Sequence, residues 1–420
     1  MKASVIVVVH AGAHHLDDSL ASLARDADRG AYEVVLVDNG SADRCGDEAR
    51  RRFPWATIIR SEHNLGFAGG VHLGAEAASG DVLVLLNDDA AAEKGLVEAH
   101  LEALTSNREA AVSAGRLVSW DGASHDFVRG VMTFDCHAFQ LGQMTAVSEI
   151  EPPTRGEALP FACGGNMAIR REDWDRSGGF DRDLFAYFED VDLGWRLLAV
   201  GRDVVAAPDA VARHRGAATS SGLGNYRRGV LFERNALRTF HACADAECRA
   251  AFGGAVYATF LHRMAAFAGE QQDLEAIAAD PYAGRGAPPT RGERWRRRVR
   301  ERGVTGAARH LLARVMLGPE AGNPTLDDGL LLMQLRAARG FFSGLDRTDE
   351  RRVQLDAERT VPDREILARF PRFVVPTYAG DEEWFKSDAF RALLPKDWPL
   401  EFRSLQDIIG SSQASTRPPI

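Results

Sequence analysis

The first hundred residues alternate short β-rich runs with helical patterns, and no other feature restricts the fold as much. Such alternation is the signature of a parallel sheet covered by helices. Residues 4–9, 34–37, 57–59 and 82–86 read as the first four strands. The fourth is apolar throughout, so both of its faces are expected to be buried. Leu16, Leu20 and Leu23 form one apolar helical face after the first strand, and Val97, Leu101 and Leu104 form another after the fourth.

The pattern weakens from 110 to 156, where only 111–118 and 131–134 are strand-like, and mixed or antiparallel edges are expected there. Residues 161–169 read as a strand with two central glycines. Val191, Trp195 and Leu198 then mark a helix that Gly201 can terminate, followed by a closing strand at 204–207. Past Tyr226 the pattern is helical, and beyond Pro362 it is rich in proline, aromatic and acidic residues with little periodicity. The expected organisation is one α/β unit over 1–240 (halves about 1–110 and 111–240), a helical region over 241–362 and an irregular tail over 363–420.

A chain of 420 residues with 45% hydrophobic and 26% charged residues has the composition of a soluble globular protein. No apolar run approaches the roughly 20 residues needed to cross a bilayer. The start reads as a buried strand, not a signal peptide. Five cysteines, odd in number and without CxxC spacing, point to reduced thiols in the cytoplasm and away from structural zinc. The net charge of -9 argues against nucleic-acid binding, although 291–302 is densely basic.

In open α/β sheets ligands sit beyond the carboxyl ends of the strands, so the residues there come first. The second strand runs into Asp38-Asn39-Gly40-Ser41, where Asp38 can accept from a base or ribose or can cap a turn. Asn64-Leu65-Gly66 follows the third strand; glycine allows close approach to a nucleotide, or simply a loop. The fourth strand ends in Asn87-Asp88-Asp89. Carboxylates at the end of a buried strand are costly unless solvated, capping or metal-bound, and hard oxygens suit Mg²⁺ or Mn²⁺. No GxGxxG follows the first strand and no GxxxxGK[ST] occurs, which excludes dinucleotide dehydrogenases and P-loop enzymes.

A second cluster, Glu189-Asp190-Val191-Asp192, opens the helix of Val191 and Trp195. First-turn acids complement the macrodipole, the reading preferred for Asp192, which can also pair with Arg196. The adjacency of Glu189 and Asp190 suits a tuned general base, with Asp190 free to face a cleft. His214, after the closing strand, is either a surface or core residue or a metal ligand.

Taken in order, VIVVVH, EVVLVDNGSAD, NLGFAGGVHLGAEAASGDVLVLLNDD, FACGGNMAIRREDWDRSGGFD, FAYFEDVDLGWRLLAVG and RHRG resemble the family 2 glycosyltransferases. The likeness is to the bacterial branch with rhamnosyl- and galactofuranosyltransferases, over about 1–240. It implies a GT-A fold and an inverting, metal-dependent transfer of sugar from a nucleotide-sugar donor to a glycan or lipid-linked acceptor, with dTDP-rhamnose or a UDP-sugar favoured. By the same resemblance Asp38 contacts the nucleobase, and Asn64 and Gly66 lie in the nucleotide loop. Asn87, Asp88 and Asp89 take the DxD position, with Asn87 leaving the metal to Asp89 and His214. Gly165 and Asn166 fall where donor and acceptor meet, Asp190 on the catalytic base, Glu189 on its companion, and Arg234-Asn235 on a pair after the catalytic domain. His10-Ala11 stands where relatives carry a Tyr-Asn type pair.

The competing functions are a sugar nucleotidyltransferase, whose Gly-rich basic loop after the first strand is missing here, and a non-catalytic nucleotide-sugar-binding protein. Residues 294–345 combine basic and apolar stretches. They suit either peripheral contact with the inner face of the membrane or a helical appendage packed on the α/β unit or on a second copy.

Overall fold

The computed structural model describes residues 1–10, 13–27, 29–216, 224–266, 326–378 and 380–409. In chain order the first half runs β1 (Ala3–Val9), α1 (Ala13–Ala27), β2 (Glu33–Asn39), α2 (Cys45–Arg52), β3 (Thr57–Ser61), α3 (Gly66–Ala77) and β4 (Val82–Asn87). β1 pairs in parallel with both β2 and β4, and β2 in parallel with β3. Every residue of β1 is buried, and its side chains alternate between two cores. Val5, Val7 and Val9 pack with Leu16, Leu20 and Leu23 of α1, while Ile6 and Val8 pack with Ala68, Val71 and Ala75 of α3. The period-2 geometry of a strand thus explains why its sequence is apolar without interruption.

The second half adds β5 (Ala90–Ala92), α4 (Leu96–Ser106), β6 (Ala110–Ser119), β7 (His125–Phe127), β8 (Gly130–Met132), β9 (Ala138–Gln140), β10 (Ala158–Leu159), β11 (Asn166–Arg170), α5 (Arg171–Ser177), α6 (Glu189–Ala199) and β12 (Asp203–His214). Among the described residues these complete a ten-stranded sheet of order β10-β12-β6-β11-β4-β1-β2-β3, with β5 on β12 and β7 on β6. β11 is antiparallel to β4 and β6, so the sheet is mixed in its middle. The stretch expected to form edges instead supplies an interior strand, β6. Two further differences shape the site. Residues 161–165 are loop, because Gly164-Gly165 turns the chain before β11 starts. The closing strand runs on to His214: a register shift between Ala206 and Val211 absorbs Pro208, which cannot donate to a ladder.

The remaining elements are α7 (Gly224–Cys243), α8 (Ala246–Ala266), α9 (Leu326–Phe342), α10 (Leu345–Glu358), α11 (Asp363–Arg369), β13 (Arg372–Val374), α12 (Asp381–Lys386), α13 (Asp388–Arg391), β14 (Leu400–Phe402) and α14 (Leu405–Ile409). The stretch expected to be irregular past 363 therefore holds short helices and a parallel β13–β14 pair up to 409. It is laid on the α/β half: Trp195 Nε1 donates to Asp363 Oδ1 at 2.8 Å, and the Phe134 N–H to the Phe373 carbonyl at 2.9 Å. α9 lies along α7 and buries Leu331, Met333, Ala337 and Phe341, so the apolar face of its sequence is already covered. The basic run at 291–302, and the rest of 294–325, fall outside the described residues. No described helix is long and apolar enough to cross a membrane.

A buried ionic cluster joins these parts. Arg263 of α8 reaches Asp135 at 2.8 Å and Asp381 at 2.9 Å. His137 sits 3.0 Å from Glu233 of α7 and 3.2 Å from Asp135, and the Tyr378 hydroxyl donates to Glu233 at 2.5 Å. All six are buried.

Candidate active site

One turn, Cys163–Gly164–Gly165, organises the cleft. The Gly165 carbonyl accepts from the Asn87 N–H at 3.1 Å, and the Gly164 N–H donates to Asp190 Oδ2 at 2.9 Å. The end of β4 and the start of α6 are therefore held by adjacent residues. Both positions leave little room for a side chain. A Cβ at Gly165 would stand 2.9 Å from Asn87 Nδ2, and one at Gly164 would stand 3.0 Å from the Phe67 ring.

At the β4 end, Asp88 and Asp89 are both buried, and β12 arrives beside them through its pairing with β5. His214 Nε2 lies 3.0 Å from Asp89 Oδ1 and 3.2 Å from Asn87 Nδ2. Nδ1 meets Asp126 of β7, whose other oxygen accepts from Gln143 at 3.0 Å. Burial opposes a charged imidazole, but the carboxylates of Asp126 and Asp89 on its two nitrogens raise the His214 pKa to about 10. Asp126 escaped the sequence reading. Its only signal is an acidic residue inside a three-residue strand in the weakly patterned region.

The donor chemistry fits the divalent ion that the resemblance implies. Two ligands at right angles on an octahedral ion, with bonds of about 2.0–2.1 Å, lie about 3 Å apart, the spacing found between Asp89 Oδ1 and His214 Nε2. Asp126 would then hold the far nitrogen, as carboxylates do behind metal-bound imidazoles. Among the described residues no group of three or more His, Cys, Asp or Glu is placed to hold a metal ion, so an ion on Asp89 and His214 would need further donors. Ligation through Nε2 requires that nitrogen to give up its proton.

At the α6 end, Asp190 is half-buried and Glu189 buried. Asp190 is not as free as its sequence position suggests: its oxygens accept from the N–H groups of Gly164 and, at 2.8 Å, Val191. Four lone-pair sites leave it room for an incoming hydroxyl. Glu189 Oε2 is buried with no hydrogen-bond partner. Burial, then the neighbouring Asp190 charge, pushes Glu189 well above the usual carboxylate range, and burial also raises Asp190 against the pull of its two N–H donors. Of the two, Glu189 is therefore the one held more strongly toward its neutral form. Asp192 is part of the framework: it is buried and pairs with Arg196 at 2.8 Å and Arg351 at 3.2 Å.

The loop leading into α6 is strained. Phe185, Tyr187 and Phe188 adopt φ values of 69°, 67° and 71°, a region that costs non-glycine residues on the order of 1–3 kcal/mol each. Asn235 of α7 offsets this, its Nδ2 lying 3.0, 3.0 and 2.7 Å from the carbonyls of Leu184, Ala186 and Tyr187. Arg234 donates to the Leu184 carbonyl at 2.8 Å and to Asn235 Oδ1 at 2.9 Å.

At the nucleotide end, Asp38 is fully buried; it accepts from the Ser41 N–H at 2.9 Å and pairs with Arg60. That is the turn-capping arrangement, with Arg60 added. Asn64 accepts from the Gly66 N–H at 2.8 Å, and Asn39, read from the sequence only as part of a capping turn, locks the loop by donating to the Gly66 carbonyl at 2.8 Å. Gly66 has φ 73°, and a Cβ there would meet the Phe185 carbonyl at 2.2 Å. The same carbonyl accepts from Ala68 in the first turn of α3, so a protein group occupies part of that helix N-terminus. Asn166 is fully buried under the cleft; its amide binds the carbonyls of Arg116 and Ala210, each at 2.9 Å, and His100 at 3.0 Å. Its contribution is to tie β11 to its neighbours.

Residues 4–177 match the family model described as Glycosyl transferase family 2. The chain is 29% identical over 233 residues to N-acetylglucosaminyl-diphospho-decaprenol L-rhamnosyltransferase of Mycobacterium tuberculosis, covering 50% of this chain and 75% of that protein. It is 26% identical over 266 residues to the uncharacterized glycosyltransferase YfnE of Bacillus subtilis, covering 51% and 65%. Among solved structures, GalNAc-T7 with UDP, GalNAc and Mn²⁺ aligns with a TM-score of 0.48 at 16% identity, over 66% of this chain and 53% of that one. Over residues 4–177, which hold β1 to β4, β6 and β11, the chain thus matches glycosyl transferase family 2, and these similarities support glycosyl transfer as its activity.

Proposed function

We propose that the chain transfers a sugar from a nucleotide-diphosphate donor to an acceptor hydroxyl by single displacement, with inversion at the anomeric carbon. What supports this reading is the turn at 163–165, because it holds a carboxylate base and a divalent-cation donor pair on one cleft. Asp190 takes the acceptor proton as the hydroxyl attacks, and Glu189, held toward its neutral form by burial, stays beside it. Asp89 and His214 would hold Mg²⁺ or Mn²⁺, whose part when bound is to offset charge on the departing diphosphate. Asp38, Asn64 and Gly66 shape the nucleotide end, Asn87 and Asp88 border the diphosphate, and Gly165 and Asn166 set the floor between donor and acceptor. The transferring unit is 1–240, with its donor half in about 1–110.

The mycobacterial relative acts, by its name, on a diphospho-decaprenol-linked saccharide and moves L-rhamnose. Transfer of rhamnose from dTDP-rhamnose to a lipid-diphosphate-linked glycan is the first substrate pair to try, with UDP-sugars next. The decisive experiment incubates the chain with each donor and acceptor and Mn²⁺ or Mg²⁺, follows nucleoside diphosphate release, and reads the anomeric configuration of the product by NMR. Retained configuration would overturn the single-displacement reading, and no transfer from any nucleotide sugar would overturn the whole.

A further inference from the structure

A cavity of about 300 Å³ lies between α6 and the segment from α11 to β13, at the end of the sheet remote from the acids. Ala158 and Leu159, which border it, pair with Val205 and Val204 near the start of β12, whereas His214 ends that strand. Its walls are mostly apolar, including Val131, Met132, Leu198, Ile366, Leu367 and Phe370. Arg129, Glu157, Arg369 and Arg372 are its charged residues, and Arg372 is the buried one. It lines the cavity while only 6% exposed, and its guanidinium lies 4.3 Å over the ring of Trp195, another lining residue.

A guanidinium carries five donors around its edge, and a ring face satisfies only its flat side. Among the described residues no carboxylate or other hydrogen-bond acceptor is placed on those donors. The other two arginines of the lining are already paired, Arg129 with Glu157 at 2.7 Å and Arg369 with Asp203 at 2.8 Å. A buried cation without a counter-charge is costly, and one anion in the cavity would remove that cost. The volume is at the lower end of the range of about 300–1,000 Å³ typical of small-molecule sites.

We propose that this cavity binds a short amphiphilic anion, its carboxylate or phosphate headgroup on Arg372 and its aliphatic body against the apolar walls. The site is separate from the transfer reaction and stands whether or not the proposed substrates are right. The test is calorimetric titration of the full chain, below micelle-forming concentrations, with decanoate, decyl phosphate, decanol and inorganic phosphate. Both anionic amphiphiles should bind at least about tenfold more tightly than decanol, since a charged hydrogen bond contributes about 1.5–3 kcal/mol, and inorganic phosphate should bind more weakly than either. Arg372→Met should remove that preference and Arg372→Lys should keep most of it. Equal binding of decanol and decanoate, or an unchanged preference in folded Arg372→Met, would overturn the proposal, as would the failure of both anions to bind at millimolar concentration. The comparison of charged with neutral probes on the unaltered protein needs no variant to fold.

Discussion

The cleft and the buried ionic cluster are built from the same side chains and treat them in opposite ways. In the cluster, burial disfavours charge on Asp135 and Glu233, yet His137 and Arg263 hold both below the usual carboxylate range. In return, and against its own burial, His137 is raised to about 10 by Asp135 and Glu233. In the cleft, buried Glu189 and half-buried Asp190 stand side by side with no cation paired to them among the described residues, and both rise. Complete pairing makes a joint that stays in one protonation state; incomplete pairing leaves a proton ready to move.

The sharpest way to break this contrast is Asp190→Asn. Loss of a positioned base should lower kcat by about 10²- to 10⁴-fold while leaving the midpoint of urea unfolding where it was or higher. Transfer at the unaltered rate would remove Asp190 from its role. Arg263→Met should do the converse, costing on the order of 3–5 kcal/mol of stability because Asp135 and Asp381 are left buried without their cation. Denaturant titration reads this directly, and a loss below 1 kcal/mol would mean that the cluster is not a joint. Asn235→Leu should fall between the two: the Ala186 and Tyr187 carbonyls lose the Asn235 donor while Leu184 keeps Arg234, at a cost of about 1–3 kcal/mol, and kcat should fall with it because the strained loop precedes the base. Unaltered kcat in a destabilised variant would confine Asn235 to folding.

Two pH effects are finer and opposite in sign. Asp190 works ionised and its pKa is raised, so kcat should climb with pH along the acidic limb. Glu189→Gln, which puts a neutral amide where the neutral acid stood, should leave that limb in place, and a limb moved to lower pH would mean that Glu189 is charged beside Asp190. For His137 the folded pKa lies above the unfolded one, so its stabilisation is fully present below about 6.5 and is lost as pH rises through about 10. Unfolding midpoints measured from pH 7 to 10 should fall for the natural chain, and His137→Gln should flatten that slope.

The parallel half of the sheet was legible because one-dimensional patterns carry it: β1 and β4 are apolar without a break, and their covering helices keep i, i+4, i+7 spacing. The cleft acids were legible for the same reason, since they directly follow a strand or open a helix. What was not legible depends on partners distant in sequence. Asp126 meets His214 across 88 positions and Arg263 meets Asp135 across 128, and no local pattern announces either. The full length of β12 was hidden by Pro208-Asp209, which interrupts the apolar run although the strand continues past it. Asn166 and Asp38 were visible, but not their fully committed hydrogen bonds.

The turn at Gly164-Gly165 also limits how such a protein can change. One peptide unit apart, it fixes Asn87, proposed to border the leaving diphosphate, and Asp190, the proposed base. A shift of that backbone by a fraction of an ångström moves both ends of the reaction together, and neither can be tuned while the other stands still. New specificity for a sugar or an acceptor has to come from the surrounding walls, with this short rail left as it is.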